Sequence, residues 1–270
     1  MSENSREGKS SLLEKFVPAL LIITVGLAFL VGVLWQKVEN LSKGGNTNTT
    51  AQAEQQAPQP QKADLGQIKD LFNKDVIKFG DADKKVIFVE VSDPSCPYCH
   101  IAGGLNPELN SQVGAQFKLV KDGGTYVAPV AEMKKLVDSG QASFIWIYFP
   151  GHGSGEMGSK ALYCANETGK FWEVHDLLMT SAGYDLLNET VKNDKTQAGK
   201  LADFLKSAYS VADMKSCLES DKYDARITAD TDLASTLGVS GTPGFYVNDN
   251  SFPGAYNYVD MEKVVTSALE

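Results

Sequence analysis

The sequence predicts an α/β domain with a helical insertion, preceded by one N-terminal transmembrane helix and a flexible linker. Three observations lead there. Residues 85–91 (KVIFVEV) and 143–149 (SFIWIYF) are almost unbroken runs of β-branched and aromatic residues, the pattern of strands buried on both faces. From Glu156 to about Ser220 the apolar spacing turns helical, with Ala161, Leu162, Trp172, Leu177 and Leu178 as core candidates. Residues 16–35 (FVPALLIITVGLAFLVGVLW) form a stretch of 20 residues without a charge. That is about the length a helix needs to cross ~30 Å of hydrocarbon.

The N-terminal segment divides the chain into a tail (1–15), an anchor (16–35), a linker (36–63) and a domain (64–270). A cleaved signal peptide is the competing reading, but its apolar core is normally shorter and its A-x-A site closer than Ala51-Gln52-Ala53. Arg6, Lys9 and Lys15 before the span barely outnumber Lys37 and Lys43 after it, so flanking charge does not orient it. The linker is rich in Gly, Asn, Thr, Gln and Pro and has too little apolar surface to offset its chain entropy.

Within the domain, Asp64 caps a short helix carrying Leu65, Ile68, Leu71 and Phe72. The first buried strand ends at Ser92-Asp93-Pro94-Ser95, which presents Cys96-Pro97-Tyr98-Cys99-His100 at a helix start, with Pro97 suited to the first helical position. A helix is expected over 129–137 and the second buried strand over 143–149. Residues 224–237 read as a helix with Ala225, Ala229, Leu233 and Leu237 at four-residue spacing. Two short strands follow around 245–247 and 251–252, then a terminal helix from Val259.

Composition narrows the function. The 270 residues allow one or two domains, and 43% hydrophobic with 22% charged residues is ordinary for a folded protein. A net charge of −9 without a Lys/Arg block excludes nucleic acid as the partner. The four cysteines are too few to staple a small scaffold, so their spacing carries the information.

A thiol at a helix start feels unpaired N–H groups and the positive dipole end, which stabilise its thiolate. One turn further on, a second sulfur can form or resolve a mixed disulfide. Cys96 is therefore expected as the exposed attacking sulfur and Cys99 as the buried resolving one. Competing readings are half of a zinc site, an inert pair, and covalent haem on C-x-x-C-H. Zinc would need a second ligand pair, which Cys164 and Cys217 do not form in sequence. Haem would need His100 and one of Met133, Met157 or Met179 as axial ligands, and the rigid Pro-Tyr pair argues against it. Gly153-x-Gly155-x-x-Gly158 matches a dinucleotide fingerprint but lacks its βαβ unit, so it reads as a loop.

Residues 86–100 (VIFVEVSDPSCPYCH) and 238–247 (GVSGTPGFYV) together resemble the DsbA-like thiol:disulfide oxidoreductases of the thioredoxin superfamily. Residues 161–177 (ALYCANETGKFWEVHDL) resemble that family's helical insertion (about 155–220 here), as do Pro150 and His152 ahead of it. Gly254-Ala255 before a helix fits its tail. The resemblance implies a thioredoxin-like fold, a Cys96–Cys99 redox disulfide, and a cis Thr242-Pro243 bond beside it that leaves backbone free to pair with a substrate peptide. It implies an extracytoplasmic oxidase without cofactor that acts on free thiols of secreted or membrane proteins and is reoxidised by a quinone-linked membrane partner. A reductase or isomerase of the same fold is the alternative direction.

Glu90, a carboxylate in an apolar strand, is expected to titrate high and relay a proton for Cys99, unless it faces solvent. His100 would add positive charge beside the thiolate or sit exposed on its helix. Cys164 and Cys217 can pair in an oxidising compartment or remain separate buried thiols. His152 and His175 have no assigned catalytic role. The 43 residues between Cys99 and Ser143 exceed the family pattern, and Gly103-Gly104 should weaken the first helix by about 1 kcal/mol per Gly.

Overall fold

A computed structural model describes residues 61–270. The tail and anchor expected over 1–35, and the linker up to residue 60, lie outside the described residues. Among the described residues, no helix is long and apolar enough to cross a membrane.

The described residues begin with β1 (Gln61–Lys62), so the last part of the expected linker pairs with the sheet. Helix α1 (Leu65–Asp70) follows, capped by Asp64, whose carboxylate accepts from Gly66 N at 2.7 Å. Next come β2 (Ile77–Phe79), β3 (Val86–Ser92), α2 (Pro97–Gly103), α3 (Pro107–Val113), α4 (Pro129–Asp138) and β4 (Ala142–Tyr148). The helical block comprises α5 (Glu156–Asn166), α6 (Phe171–Leu178), α7 (Ser181–Asp185), a π turn over Leu186–Val191, α8 (Ala198–Phe204), α9 (Val211–Glu219) and α10 (Asp224–Thr236). The chain closes with β5 (Gly244–Val247), β6 (Asn250–Pro253) and α11 (Tyr258–Leu269).

The strands form one sheet in the order β1-β6-β5-β3-β4-β2, with β3 and β4 parallel and the other pairs antiparallel. β3 and β4 are buried along their whole length because helices cover both faces, as their apolar runs require. Ile87, Val89, Val91, Ile145 and Ile147 pack with Ile68 of α1, with Leu71 just beyond its end, and with Ala234 and Leu237. Phe88, Phe144, Trp146 and Phe245 face the larger core, which includes Leu162, Phe171, Leu178 and Met261. Ala161, Leu162 and Leu178 are buried as expected, while Trp172 and Leu177 sit at the margin of this core. A disulfide joins Cys164 of α5 to Cys217 of α9 across a separation of 53 residues.

Four local readings change. In α10 the buried positions are Asp230 and Ala234, with Leu237 just beyond the helix, while Ala225 and Ala229 are exposed. A four-residue repeat drifts around a 3.6-residue helix, and the buried Asp230 belongs to the inward stripe. The second glycine of the Gly103-Gly104 pair ends α2 instead of weakening it: Gly104 adopts φ 69°, a left-handed cap that suits glycine. The edge strand β2 is three residues long, too short for a sequence period to mark it. The long Cys99–Ser143 interval holds α3 and α4, with Asn106 capping α3 through Leu109 N.

Candidate active site

The loop after β3 is built around one carboxylate. Asp93 is fully buried, and its Oδ1 accepts from the Ser95 N–H and hydroxyl, both at 2.7 Å. Its Oδ2 accepts from the N–H groups of Gly151 and His152 at 2.7 and 2.8 Å. Asp93 therefore ties the turn before Cys96 to the loop after β4. A side chain is excluded at both ends of that loop: a Cβ on Gly155 would lie 1.7 Å from Asp93 Oδ1, and one on Gly151 would lie 1.7 Å from Thr242 Oγ1.

Cys96 occupies the N-cap of α2 in an extended conformation, so the free N–H groups of the first turn point towards it. Its thiol donates to the Thr242 carbonyl at 3.4 Å, and Thr242–Pro243 is a cis peptide. The Cys96 side chain is thus held between a helix start and the cis-proline loop. It is only 4% exposed, which corrects the expected open thiol. Thr242 lies against one side of it and Met179 of the helical block packs on the two sulfurs. Cys99 is fully buried, and its sulfur accepts from the Asp93 N–H at 3.4 Å. Both thiols are free.

The two sulfurs are electrostatically opposite. A hydrogen bond from the Cys99 thiol is the main cause that brings Cys96 down to about 6, against burial and helped by Thr242 and the N–H groups of Tyr98 and Cys99. Burial, and then the Cys96 sulfur itself, push Cys99 well above the ordinary thiol range. A thiolate on Cys96 with a protonated Cys99 beside it is the arrangement that attacks a disulfide and then resolves the product.

Glu90 is fully buried in β3, between Trp146 of β4 and Phe245 of β5 in register. Burial raises its pKa, which excludes the solvent-facing reading. Ser92, two residues on and on the same face, favours the charged forms of both Glu90 and Cys99.

His100 does not do what either sequence reading expects. It is buried, with Nε2 2.8 Å from the Pro94 carbonyl and Nδ1 3.0 Å from the Met179 carbonyl. Burial lowers its pKa to about 4, so near neutral pH the ring is uncharged and adds no positive charge beside Cys96. Its role is to tie the active-site loop to the helical block. Both ring nitrogens face backbone carbonyls inside the protein, of which a neutral ring can donate to only one, so His100 does not present the axial ligand that the haem reading needs. Among the described residues, no three His, Cys, Asp or Glu side chains converge as a metal-ligand set.

The structure therefore brings Cys96, Cys99, Thr242 and Pro243 together, places Glu90 behind them and turns His100 away. Asp93 and Gly151 are the residues that sequence reasoning missed. The only hint of Asp93 was a carboxylate in the turn leading to a reactive cysteine. A groove of about 320 Å³ lined by Val239, Thr242, Pro243, Tyr246 and Pro253 adjoins the cis-proline loop. On the other side of Cys96, Tyr98 is exposed and packs edge-on against Phe117 at 5.9 Å.

Comparison with known proteins agrees with this architecture. The chain is 28% identical over 197 residues to a Na(+)/H(+) antiporter NhaA 1 of Salinispora arenicola, covering 70% of this chain and 24% of that protein. It thus spans about a quarter of the length of such relatives. A Rickettsia conorii protein named as a protein-disulfide oxidoreductase is 23% identical over 237 residues, covering 86% of this chain and 75% of its own. Among solved structures, oxidised BdbD of Bacillus subtilis superposes with a TM-score of 0.54 at 20% identity, covering 78% of this chain and 97% of that one. Wolbachia pipientis alpha-DsbA1 superposes with a TM-score of 0.53 at 17% identity, covering 72% and 91%. A family model described as thioredoxin matches residues 129–267, a span that holds the cis Thr242–Pro243 bond. The chain belongs to the thioredoxin family.

Proposed function

We propose that this protein is a thiol:disulfide oxidoreductase that works outside the cytoplasm, anchored by residues 16–35, and oxidises free thiols of secreted or membrane proteins. The observation that carries this reading is the opposition of the two sulfurs, Cys96 lowered to about 6 and Cys99 raised, beside a cis-proline loop. The fold relatives BdbD and alpha-DsbA1 support the same class.

In the oxidising direction, a substrate thiolate attacks Cys96 Sγ of the Cys96–Cys99 disulfide. The S–S bond breaks, and Cys99 leaves with the electron pair and takes up a proton. A second substrate thiolate then attacks the substrate sulfur of the mixed disulfide. The substrate is oxidised by two electrons, and Cys96 departs as the thiolate that its surroundings stabilise. Reoxidation needs an acceptor, for which a quinone-linked membrane partner is the proposal. The backbone before Pro243 and the adjoining groove offer an extended peptide a place to lie.

Direction is read from the reduction potential of the Cys96/Cys99 pair. Strong stabilisation of the reduced form predicts a value towards the oxidising end, about −120 mV, whereas a value near −270 mV would make the protein a reductase. A Soret band in the purified protein would instead revive the haem reading.

A further inference from the structure

A second cavity, of about 440 Å³, opens beside the cis-proline groove, and Pro253 lines both. The strip that carries Pro253 is fixed to the active site, since the Gly254 N–H donates to the Pro243 carbonyl at 2.7 Å. The opposite wall comes from the segment between α3 and α4, inside the Cys99–Ser143 interval that exceeds the family pattern. That wall is firmly tied. The hydroxyl of the buried Tyr126 donates to the Ala255 and Tyr256 carbonyls at 3.3 and 3.2 Å. Asn257 Nδ2 donates to the Thr125 carbonyl at 3.0 Å, and its Oδ1 accepts from the Val127 N–H at 3.1 Å. Phe117 lines the cavity, meets Tyr126 edge-on at 5.6 Å and packs on Tyr98 of the CPYC motif at 5.9 Å. One ring therefore belongs both to the cavity and to the surroundings of Cys96.

The lining is of two kinds. Phe117, Tyr126, Pro253 and Tyr256 offer ring surface, whereas Asp260, exposed in the first turn of α11, contributes a carboxylate. Among the described residues, no cationic side chain pairs with that carboxylate. The chain as a whole carries a charge of −9. A side chain with a long apolar stem and a cationic tip matches both linings: the stem lies along the rings and the tip meets the carboxylate. An acidic side chain would be repelled there, and an aliphatic one would leave Asp260 unanswered.

We propose that this cavity is a subsite for a lysine or arginine side chain of an extended substrate polypeptide whose cysteine reacts with Cys96, so that Asp260 selects basic sequence beside the reacting thiol. The inference rests on the disulfide-exchange reading and adds the class of substrate. Continuity with the cis-proline groove through Pro253, together with charge, carries it. The polypeptide lies along the cis-proline loop, continues past Pro253 and sends its basic side chain in beside Phe117 and Tyr256. The exchange chemistry itself is unaltered.

The test mixes the oxidised full chain with short peptides that carry two cysteines and one variable position, moved stepwise along the peptide and filled by Lys, Glu or norleucine. Acid quenching and mass measurement follow the loss of the Cys96–Cys99 disulfide. Each rate is divided by that with dithiothreitol, which has no side chain to enter the cavity. At one position or two adjacent ones, Lys should react about fivefold faster than Glu at low salt, with norleucine between them, and added salt should narrow the gap. Asp260→Asn should bring that ratio below about twofold. Comparing the ratio between two proteins cancels whatever Lys does to the peptide's own thiol. Glu262→Gln removes an exposed carboxylate of the same helix outside the cavity and should keep the preference. Equal rates for Lys and Glu at every position overturn the subsite, as does a preference that survives Asp260→Asn or falls equally in Glu262→Gln. Were none of the peptides to reduce the Cys96–Cys99 disulfide, the disulfide-exchange reading itself would fall.

Discussion

At the scale of single residues, two titrations give sharp expectations. Because the hydrogen bond from Cys99 is the largest cause of the Cys96 shift, Cys99→Ala should move the alkylation midpoint of Cys96 upward from about 6 by a unit or more. Iodoacetamide kinetics against pH measure it. The depressed Cys96 acid also stabilises the reduced fold: its contribution is complete above the unfolded thiol pKa and is lost as pH falls through about 6. Reduced protein should therefore gain in denaturant midpoint between about pH 6 and about pH 9, and Cys96→Ala should abolish that gain. His100 works on a lower window. Its folded pKa of about 4 lies below the ordinary 6.5, so the unfolded chain binds the extra proton. Stability should fall by about 3 kcal/mol as pH drops from roughly 6.5 to roughly 4. Urea melts of His100→Gln should lack that portion of the slope.

At the scale of elements, the site depends on loops from three places meeting at Cys96. Asp93→Asn replaces an acceptor of four hydrogen bonds with a group whose NH₂ faces N–H donors, and should cost about 2–3 kcal/mol. Gly151→Ala places a methyl on Thr242 and should cost about 1–3 kcal/mol while forcing the cis-proline loop away from Cys96. A melting curve and an insulin-reduction or peptide-oxidation assay on each variant check both. Here the limit of the sequence is visible. β3, β4, the Asp64 cap and the CPYC motif were legible because their signals are local runs and spacings. Asp93 was not, since its two partners at Gly151 and His152 lie 58 and 59 residues away. The burial of His100 was equally hidden, being set by Pro94 and by Met179 in the helical block. The inward face of α10 misled because one of its two buried positions is an aspartate, Asp230, held by Tyr163 at 2.8 Å and Arg226 at 3.1 Å.

At the scale of the whole molecule, the helical block is both lid and wall: it supplies Met179 to the sulfurs and closes the larger core over Glu90. Its own staple, Cys164–Cys217, closes a long loop and contributes about 4 kcal/mol in the chain-entropy estimate. A Cys164→Ala/Cys217→Ala variant should lose about 2–5 kcal/mol in denaturant melts, while the alkylation midpoint of Cys96 stays near 6. A shift of that midpoint would mean that the block helps set the thiolate. The staple also gives the protein a birth requirement. Each newly made copy emerges with all four sulfurs unpaired and must itself be a client of some oxidant before it matures, so where no oxidant reaches it the chain keeps its CPYC pair but lacks the clasp that holds its helices.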